Sequence, residues 1–394
     1  MTSRPSHALI PLAALLAAAC GRVDHAVGEL ETRLTSPDPE DVATTVVVTE
    51  HYTIELAALA TAFYLPWSIE ILPDARVLVT EKNGKLFRLD PDSGRRVEIG
   101  GVPNTRVWGQ GGLMDVVLHP DFARNGWLYL SLAAPVENDQ VVTRVVRARL
   151  DDDRLVDREV IFSAEPPLES GAHFGSALVF DDAGFLYVTS GERSVRGPVQ
   201  ELGNHLGKVL RLTAAGEVPP DNPFAGVAGA MQEIFTLGHR NPQAILIEPG
   251  SREVWAIEHG PRGGDEVNRL VAGGNYGWPV VGYGREYDAD RLVGEATSRA
   301  GIEEPIYYFD PSIGTAGAAF YAGAEFPEWQ GDLLIGGLAA SSIVRLELAA
   351  GQVVSREDIA LPDRVRDIEI GPGGLIYVLT DGGYLYSVRR AGGA

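Results

Sequence analysis

One theme recurs down this chain and limits its fold more than any other feature. A turn bearing Gly or Pro with acidic residues leads into an apolar run of strand length, and a second strand follows. RVLVTEKNGKLFRLD (residues 76–90) shows it most clearly, with Asn83-Gly84 as the turn of a hairpin. Similar strands are WLYLSL (127–132), FLYVTSG (185–191), EVWAIEHG (253–260), DLLIGGL (332–338) and LIYVLTD (375–381). Several have a partner: KVLRL (208–212), SIVRLEL (342–348) and YLYSVRR (384–390). Roughly six units at roughly 40–80-residue spacing match propeller blades with inserted loops. No long amphipathic helical pattern competes, and 46 glycines in 394 residues agree with many tight turns. The expected fold is therefore all-β, a six-bladed β-propeller. In this reading the second and third units carry long insertions, residues 288–299 form a surface insertion, and residues 52–56 close the ring against the last blade.

Residues 8–19 form an apolar run behind a short start carrying Arg4, and small residues lead up to Cys20, the only cysteine. That reads as a secretory signal, too short to span a bilayer as a stable helix. LAAAC is also similar to a bacterial lipoprotein signal, with Ala17 standing where Leu is usual. Cys20 would then carry lipid and become the first mature residue; simple secretion is the alternative. A single cysteine allows no intrachain disulfide. The expected organisation is a signal peptide at 1–20, a polar, acidic tether at 21–45 and a propeller domain at 46–394. The formal charge of −21 argues against nucleic acid or an anionic membrane surface as partner, so any membrane attachment comes through the lipid anchor. GNHLGK (203–208) is no phosphate loop, because its glycine spacing is wrong and Val209 replaces the required Ser or Thr. Ser190 lacks nucleophile-elbow spacing, and no strand-bound G-x-G-x-x-G precedes a helix.

Residues 234–278 concentrate the polar chemistry, with GHRNPQ before one short strand and EHGPRGGDE after the next. Loops of this kind at one end of a sheet are a common way to build a site. Arg240 suits a carbonyl or carboxylate, or braces a loop together with Asn241. Gln110, in GQGG, is either a turn residue or an amide able to bond a flat ligand. His173, in GAHFG, is either structural or a base of near-neutral pKa; Glu192 is either its partner or a turn acid. Ser312, in DPSIG, offers a hydroxyl to a cofactor or serves an ordinary turn. Arg364 and Arg366, spaced by two, suit a polycarboxylate or pair with the chain's many acids.

GHRNPQ, EHGPRGGDE and GGNYGWP resemble, in order and spacing, the soluble quinoprotein sugar dehydrogenases, nearest the bacterial aldose sugar dehydrogenases. LPWSIEILPD (65–74), GQGGLMDVVLHPDF (109–122), AHFGSALVF (172–180) and VRDIEIGPGGLIYVLTD (365–381) extend the resemblance over nearly everything from about Val46 onward. The resemblance implies pyrroloquinoline quinone and Ca²⁺ as cofactors. It makes His173 the base that deprotonates the anomeric hydroxyl, with Glu192 where glucose-specific members have an Asp that orients it. It puts Gln110, Arg240 and Asn241 on the quinone, a tricarboxylate that Arg364, Arg366 and Ser312 would also meet. The carbonyls of Gly260 and Pro261 would hold the Ca²⁺ bridging to the quinone, and Glu266 with the Tyr276 carbonyl would hold a second, structural Ca²⁺. Two departures stand out: Ala339 replaces a frequent Lys that touches the quinone, and Ala177 replaces a usual Arg. The implied activity is oxidation of aldoses to lactones, with electrons passed to an external acceptor, in the periplasm or on an outer-membrane-anchored lipoprotein. The alternative is a cell-surface binding module that keeps Ca²⁺ but has lost turnover.

Overall fold

The second strand of each repeated unit lies between two neighbouring sheets, which is why it reads as an unbroken apolar run and not as an alternation. Val77–Glu81, Val254–Glu258, Leu333–Gly337 and Ile376–Thr380 are buried at every residue. The computed structural model describes residues 44–392, in six antiparallel sheets. Five sheets have four strands and the last has five. The blades span residues 66–98, 113–163, 175–237, 242–309, 315–360 and 365–390. Their first strands, Pro66–Ile71, Leu113–Leu118, Gly175–Phe180, Pro242–Ile247, Thr315–Phe320 and Val365–Ile370, pack against one another in a ring around the axis. The core is accordingly divided into layers between blades: Leu78, Leu86, Leu113 and Leu130 fill one, Trp255, Phe309, Ile335 and Leu346 another.

The ring is closed as the sequence suggests. Thr53–Ala60 pairs antiparallel with Leu385–Arg390, from Ile54 opposite Arg390 to Ala60 opposite Leu385, so an amino-terminal strand completes the last blade. The short strand Thr45–Val48 adds an edge to it. The expected leader at 1–20, with Cys20, and all of the expected tether at 21–45 except its last two residues lie outside the described residues; Thr45 already belongs to a strand. The placement of long insertions needs correction. The second blade has only short loops, and its length comes from the extended hairpin of Val141–Asp151 and Arg154–Ser163. The long connections are in the third blade and, longest, in the fourth, between Asp265–Arg269 and Tyr307–Phe309, which contains residues 288–299.

Two regularities gather polar side chains at one end of the ring. Each first strand runs antiparallel to its second, so residues just before the first and just after the second emerge at the same end of the molecule. The pairing also slips near the start of every first strand, between Pro66 and Ile69, Leu113 and Val116, Gly175 and Leu178, Pro242 and Ala244, Thr315 and Ala318, and Val365 and Asp367. Such bulges re-aim side chains. Here Trp67, Gln243 and Arg366 are set beside the axis, above a narrow axial cavity of about 70 Å³.

Candidate active site

At this end of the propeller the 109–112 loop meets the His173 loop. Its glycines are required by close approach: a Cβ at Gly111 would lie 2.6 Å from the Phe174 ring, and one at Gly112 would overlap the Lys82 carbonyl. Gln110 donates its backbone N–H to the Gly171 carbonyl (2.7 Å) and accepts the His173 N–H at its Oε1 (2.8 Å). That bond helps hold His173 at a φ of 48°, a left-handed conformation costly for a side-chain-bearing residue. Arg193 adds a second clamp. Its guanidinium lies 3.7 Å from the centre of the Phe174 ring and donates to the carbonyls of Ala172 and Ser170.

His173 Nδ1 lies 2.9 Å from Glu192 Oε1, and Glu192 is 2% exposed. Burial lowers the His173 pKa; Glu192 opposes this and the Arg240 guanidinium adds to it, with the net result downward. The imidazole is therefore neutral at pH 7. With Nδ1–H given to the carboxylate, the Nε2 lone pair is free.

Arg240 joins this pair to the fourth blade. Its carbonyl accepts the Glu192 N–H (2.8 Å) and its own N–H donates to Glu258 Oε2 (2.7 Å). Glu258 Oε1 also meets the fully buried His239 at Nδ1 (2.7 Å), whose ring stacks on Tyr276 at 4.7 Å between centroids. The Arg240 side chain donates through Nη1 to the carbonyls of Gly260 (2.8 Å) and His259 (3.1 Å), while its Nε is buried without a partner. Asn241 Oδ1 accepts the Gly175 N–H (3.0 Å) and braces the third blade.

The mouth itself is a cavity of about 300 Å³. Gln110, Arg364, Arg366 and Ala339 line it, as do four residues that the sequence alone does not single out: Trp67, Lys82, Gln243 and His259. Arg364 and Arg366 share one carboxylate, Asp381, at 2.8 and 2.7 Å. His259 is pushed down to about 3 by burial and by the neighbouring Arg240 and His173. Arg240, Gly260, Pro261 and Glu266 line a recess beside this cavity, to which His259 also contributes. Burial and the neighbouring Glu258 raise the Glu266 carboxyl well above the usual range.

Ser312 and Tyr276 do not line the mouth. The Ser312 hydroxyl is taken by Asp265 (2.6 Å), which also accepts the N–H groups of Gly260 (2.9 Å) and Gly314 (2.8 Å) and so ties the fourth blade to the fifth. Ser312 lines an adjoining pocket with Ala340 and Arg356, and Ala339 contributes to both that pocket and the mouth. The Tyr276 hydroxyl donates to the Arg269 carbonyl (2.6 Å). Ala177 lines the axial cavity and Ala339 the mouth. Among the described residues no group of three or more His, Cys, Asp or Glu is arranged to hold a metal ion. Register could have found Lys82 and His259: each directly follows a second strand, as Glu192, Ala339 and Asp381 follow theirs within a few residues.

A family profile described as "Glucose / Sorbosone dehydrogenase" matches residues 63–387. "Aldose sugar dehydrogenase YliI" of Escherichia coli (strain K12) is 39% identical over 337 residues, 84% of this chain and 90% of the relative. "Quinoprotein glucose dehydrogenase B" of Acinetobacter calcoaceticus is 28% identical over 395 residues, 78% of this chain and 81% of the relative. The crystal structure of the soluble aldose sugar dehydrogenase from Escherichia coli in its apo form superposes with a TM-score of 0.83 at 37% identity, covering 86% of this chain and 100% of that one.

Proposed function

The chain belongs to the glucose/sorbosone dehydrogenase family of sugar oxidoreductases, and from that premise we propose that it oxidises aldoses at the anomeric carbon to lactones, using pyrroloquinoline quinone and Ca²⁺ and passing the electrons to an external acceptor. The observation that carries this reading is His173, hydrogen-bonded to the buried Glu192, beside a mouth lined by Arg364 and Arg366. The quinoprotein relative supports the choice of cofactor.

The residues present fit both groups. Arg364 and Arg366 divide one carboxylate between them and suit a polyanion. Arg240 Nε is buried without a partner. At Gly260 any Cβ would overlap the Gly263 and Gly264 carbonyls, so the turn admits no side chain; its carbonyl accepts from Arg240 Nη1 (2.8 Å) and would turn from that guanidinium to the cation. Gly260 and Pro261 would hold one Ca²⁺ and Glu266, with the Tyr276 carbonyl, a second. When bound, the quinone supplies the hydride acceptor and Ca²⁺ the polarisation of its carbonyl.

The chain's own residues do the rest. His173 Nε2 takes the proton of the anomeric hydroxyl. Glu192 fixes the tautomer and stabilises the imidazolium that forms. Gln110 holds the His173 backbone, and Arg240 places a positive charge where negative charge develops. Lys82 apart, the cations of the mouth, Arg364 and Arg366, would meet the cofactor's carboxylates, leaving a neutral sugar to enter beside it. The apolar leader ending at Cys20 supports export, to the periplasm or to an outer membrane held through lipid on Cys20. Ala339, which removes one cation from the mouth, and Ala177, at the axial cavity, are the features that favour a non-catalytic binding module. Reconstitution separates the two: apoprotein given the quinone and Ca²⁺ should reduce a dye with glucose or another aldose. Quinone binding without turnover on any aldose would establish the module instead.

A further inference from the structure

The chain contains three lysines, Lys82, Lys85 and Lys208, among 33 basic residues. Lys208 is fully buried, with its ammonium on the carbonyls of Val199 (2.8 Å) and Leu206 (2.6 Å). Lys85 is exposed and paired with Glu98 at 3.0 Å. Lys82 alone stands in the mouth. Its Nζ donates to the Gly109 carbonyl (2.7 Å) and lies 5.9 Å from the centre of the Trp67 ring. Among the described residues no carboxylate is hydrogen-bonded to it.

We propose that Lys82 is a cofactor-binding residue, contributing from the first blade the ammonium contact to a carboxylate of the quinone that Ala339 does not supply from the fifth. This rests on the function proposed above. Three observations carry it. Lys82 and Ala339 line the same cavity, so the cation missing at one wall is present at another. Lys82, Arg364 and Arg366 bring three positive charges to that cavity, and Asp381 answers with one negative charge shared by the two arginines. A protein of formal charge −21 has many acids available for Lys82, yet none is placed on it. The position is also built: Gly112 has no room for a Cβ against the Lys82 carbonyl, and the Leu113 N–H donates to that carbonyl at 3.0 Å. Burial and the nearby Arg366 hold the ammonium down to about 8, with Asp381 opposing them.

The scarcity of lysine makes a direct test possible on the unaltered protein. Apoprotein with Ca²⁺ is treated with a limiting amine-acylating reagent at pH 8, with and without pyrroloquinoline quinone, and labelling is read by peptide mass spectrometry. Lys82 should label faster than Lys85 in the apoprotein and be protected at least tenfold by the quinone, with Lys85 unchanged. Calorimetric titration should show Lys82→Gln binding the quinone at least tenfold more weakly, and Lys82→Arg within about threefold of the parent, a charge-assisted contact being the difference. Quinone that binds the parent protein but leaves Lys82 labelling unaltered, with Lys82→Gln within twofold, would overturn the assignment and spare the proposed function. No quinone binding by the parent protein would overturn both.

Discussion

The mouth and the axial channel beneath it are built on the same strands, only residues apart, and they handle charge in opposite ways. At the mouth, Lys82, Arg364 and Arg366 surround an open cavity with one acid among them. Deeper along the first strands stand Glu70, Asp115, Asp367 and Glu369. No ammonium or guanidinium is hydrogen-bonded to any of the four among the described residues. Three of them latch blade to blade: Asp367 accepts the Ile69 N–H (2.8 Å), Glu70 the Leu118 N–H (3.2 Å) and Asp115 the Leu178 N–H (2.7 Å). Burial raises Asp115 to about 6, Asp367 to about 7 and Glu70 to about 8, each against its backbone bonds, and like charge adds to the rise for Glu70 and Asp367. The channel therefore settles its excess charge by retaining protons. The mouth, which opens to solution, can settle its own with an anionic ligand. The lesson is that surplus charge marks a binding site only where there is space to admit something that answers it.

The contrast can be tested from both sides. His173→Ala should lower kcat by about 10²–10⁴-fold, the usual worth of a positioned base, while the thermal midpoint and quinone affinity stay near parental values. Because the His173 pKa is lowered, the acid limb of kcat/KM in the parent protein should lie below pH 6.5, activity being lost only as pH falls through that lowered value. Arg366→Gln should weaken quinone binding by about 10- to 100-fold in a calorimetric titration, the cost of a charged hydrogen bond, and leave the channel's pH response intact. In the channel the sign runs the other way. Glu70 takes up a proton on folding, so the stability it confers is fully present below pH 4.5 and lost as pH rises through about 8. Glu70→Gln should accordingly gain on the parent as pH rises from 6 to 9, by roughly 2–4 °C in Tm, with quinone affinity unaffected. A uniform Tm difference across that range would mean the channel does not hold protons. Ala339→Lys should have the smallest effect, improving quinone affinity by about threefold or less if Lys82 already makes that contact; a gain of a full order of magnitude (about 1.4 kcal/mol) would show that the position had been wanting.

The blades are legible because burial on both faces writes each second strand as an apolar run, as in VWAIE and IYVLT. His173 and Glu192 are legible because both lie in short polar breaks beside such runs. Less is visible where the outcome depends on one blade meeting another. Lys82 reads as part of a hairpin turn, and only the packing of the 109–112 loop against it brings it to the mouth. Ser312 reads either as a cofactor contact or as an ordinary turn serine, and only the structure shows its hydroxyl engaged by Asp265 of the preceding blade. Asp115 and Glu369 line the narrow axial cavity, an inward face that the pattern of a single strand does not distinguish from a solvent-facing one. The second blade's spacing reads as inserted loop, because long strands and long loops consume sequence equally.

The pairing of Thr53–Ala60 with Leu385–Arg390 has a consequence in time as well as in space. The last blade joins Thr53–Ala60 to the carboxy-terminal strand of the described residues, so the circle stays open throughout synthesis until Leu385–Arg390 has emerged. A chain still being made would thus remain unsealed, and could shut, and order the mouth, only once that strand was free to pair.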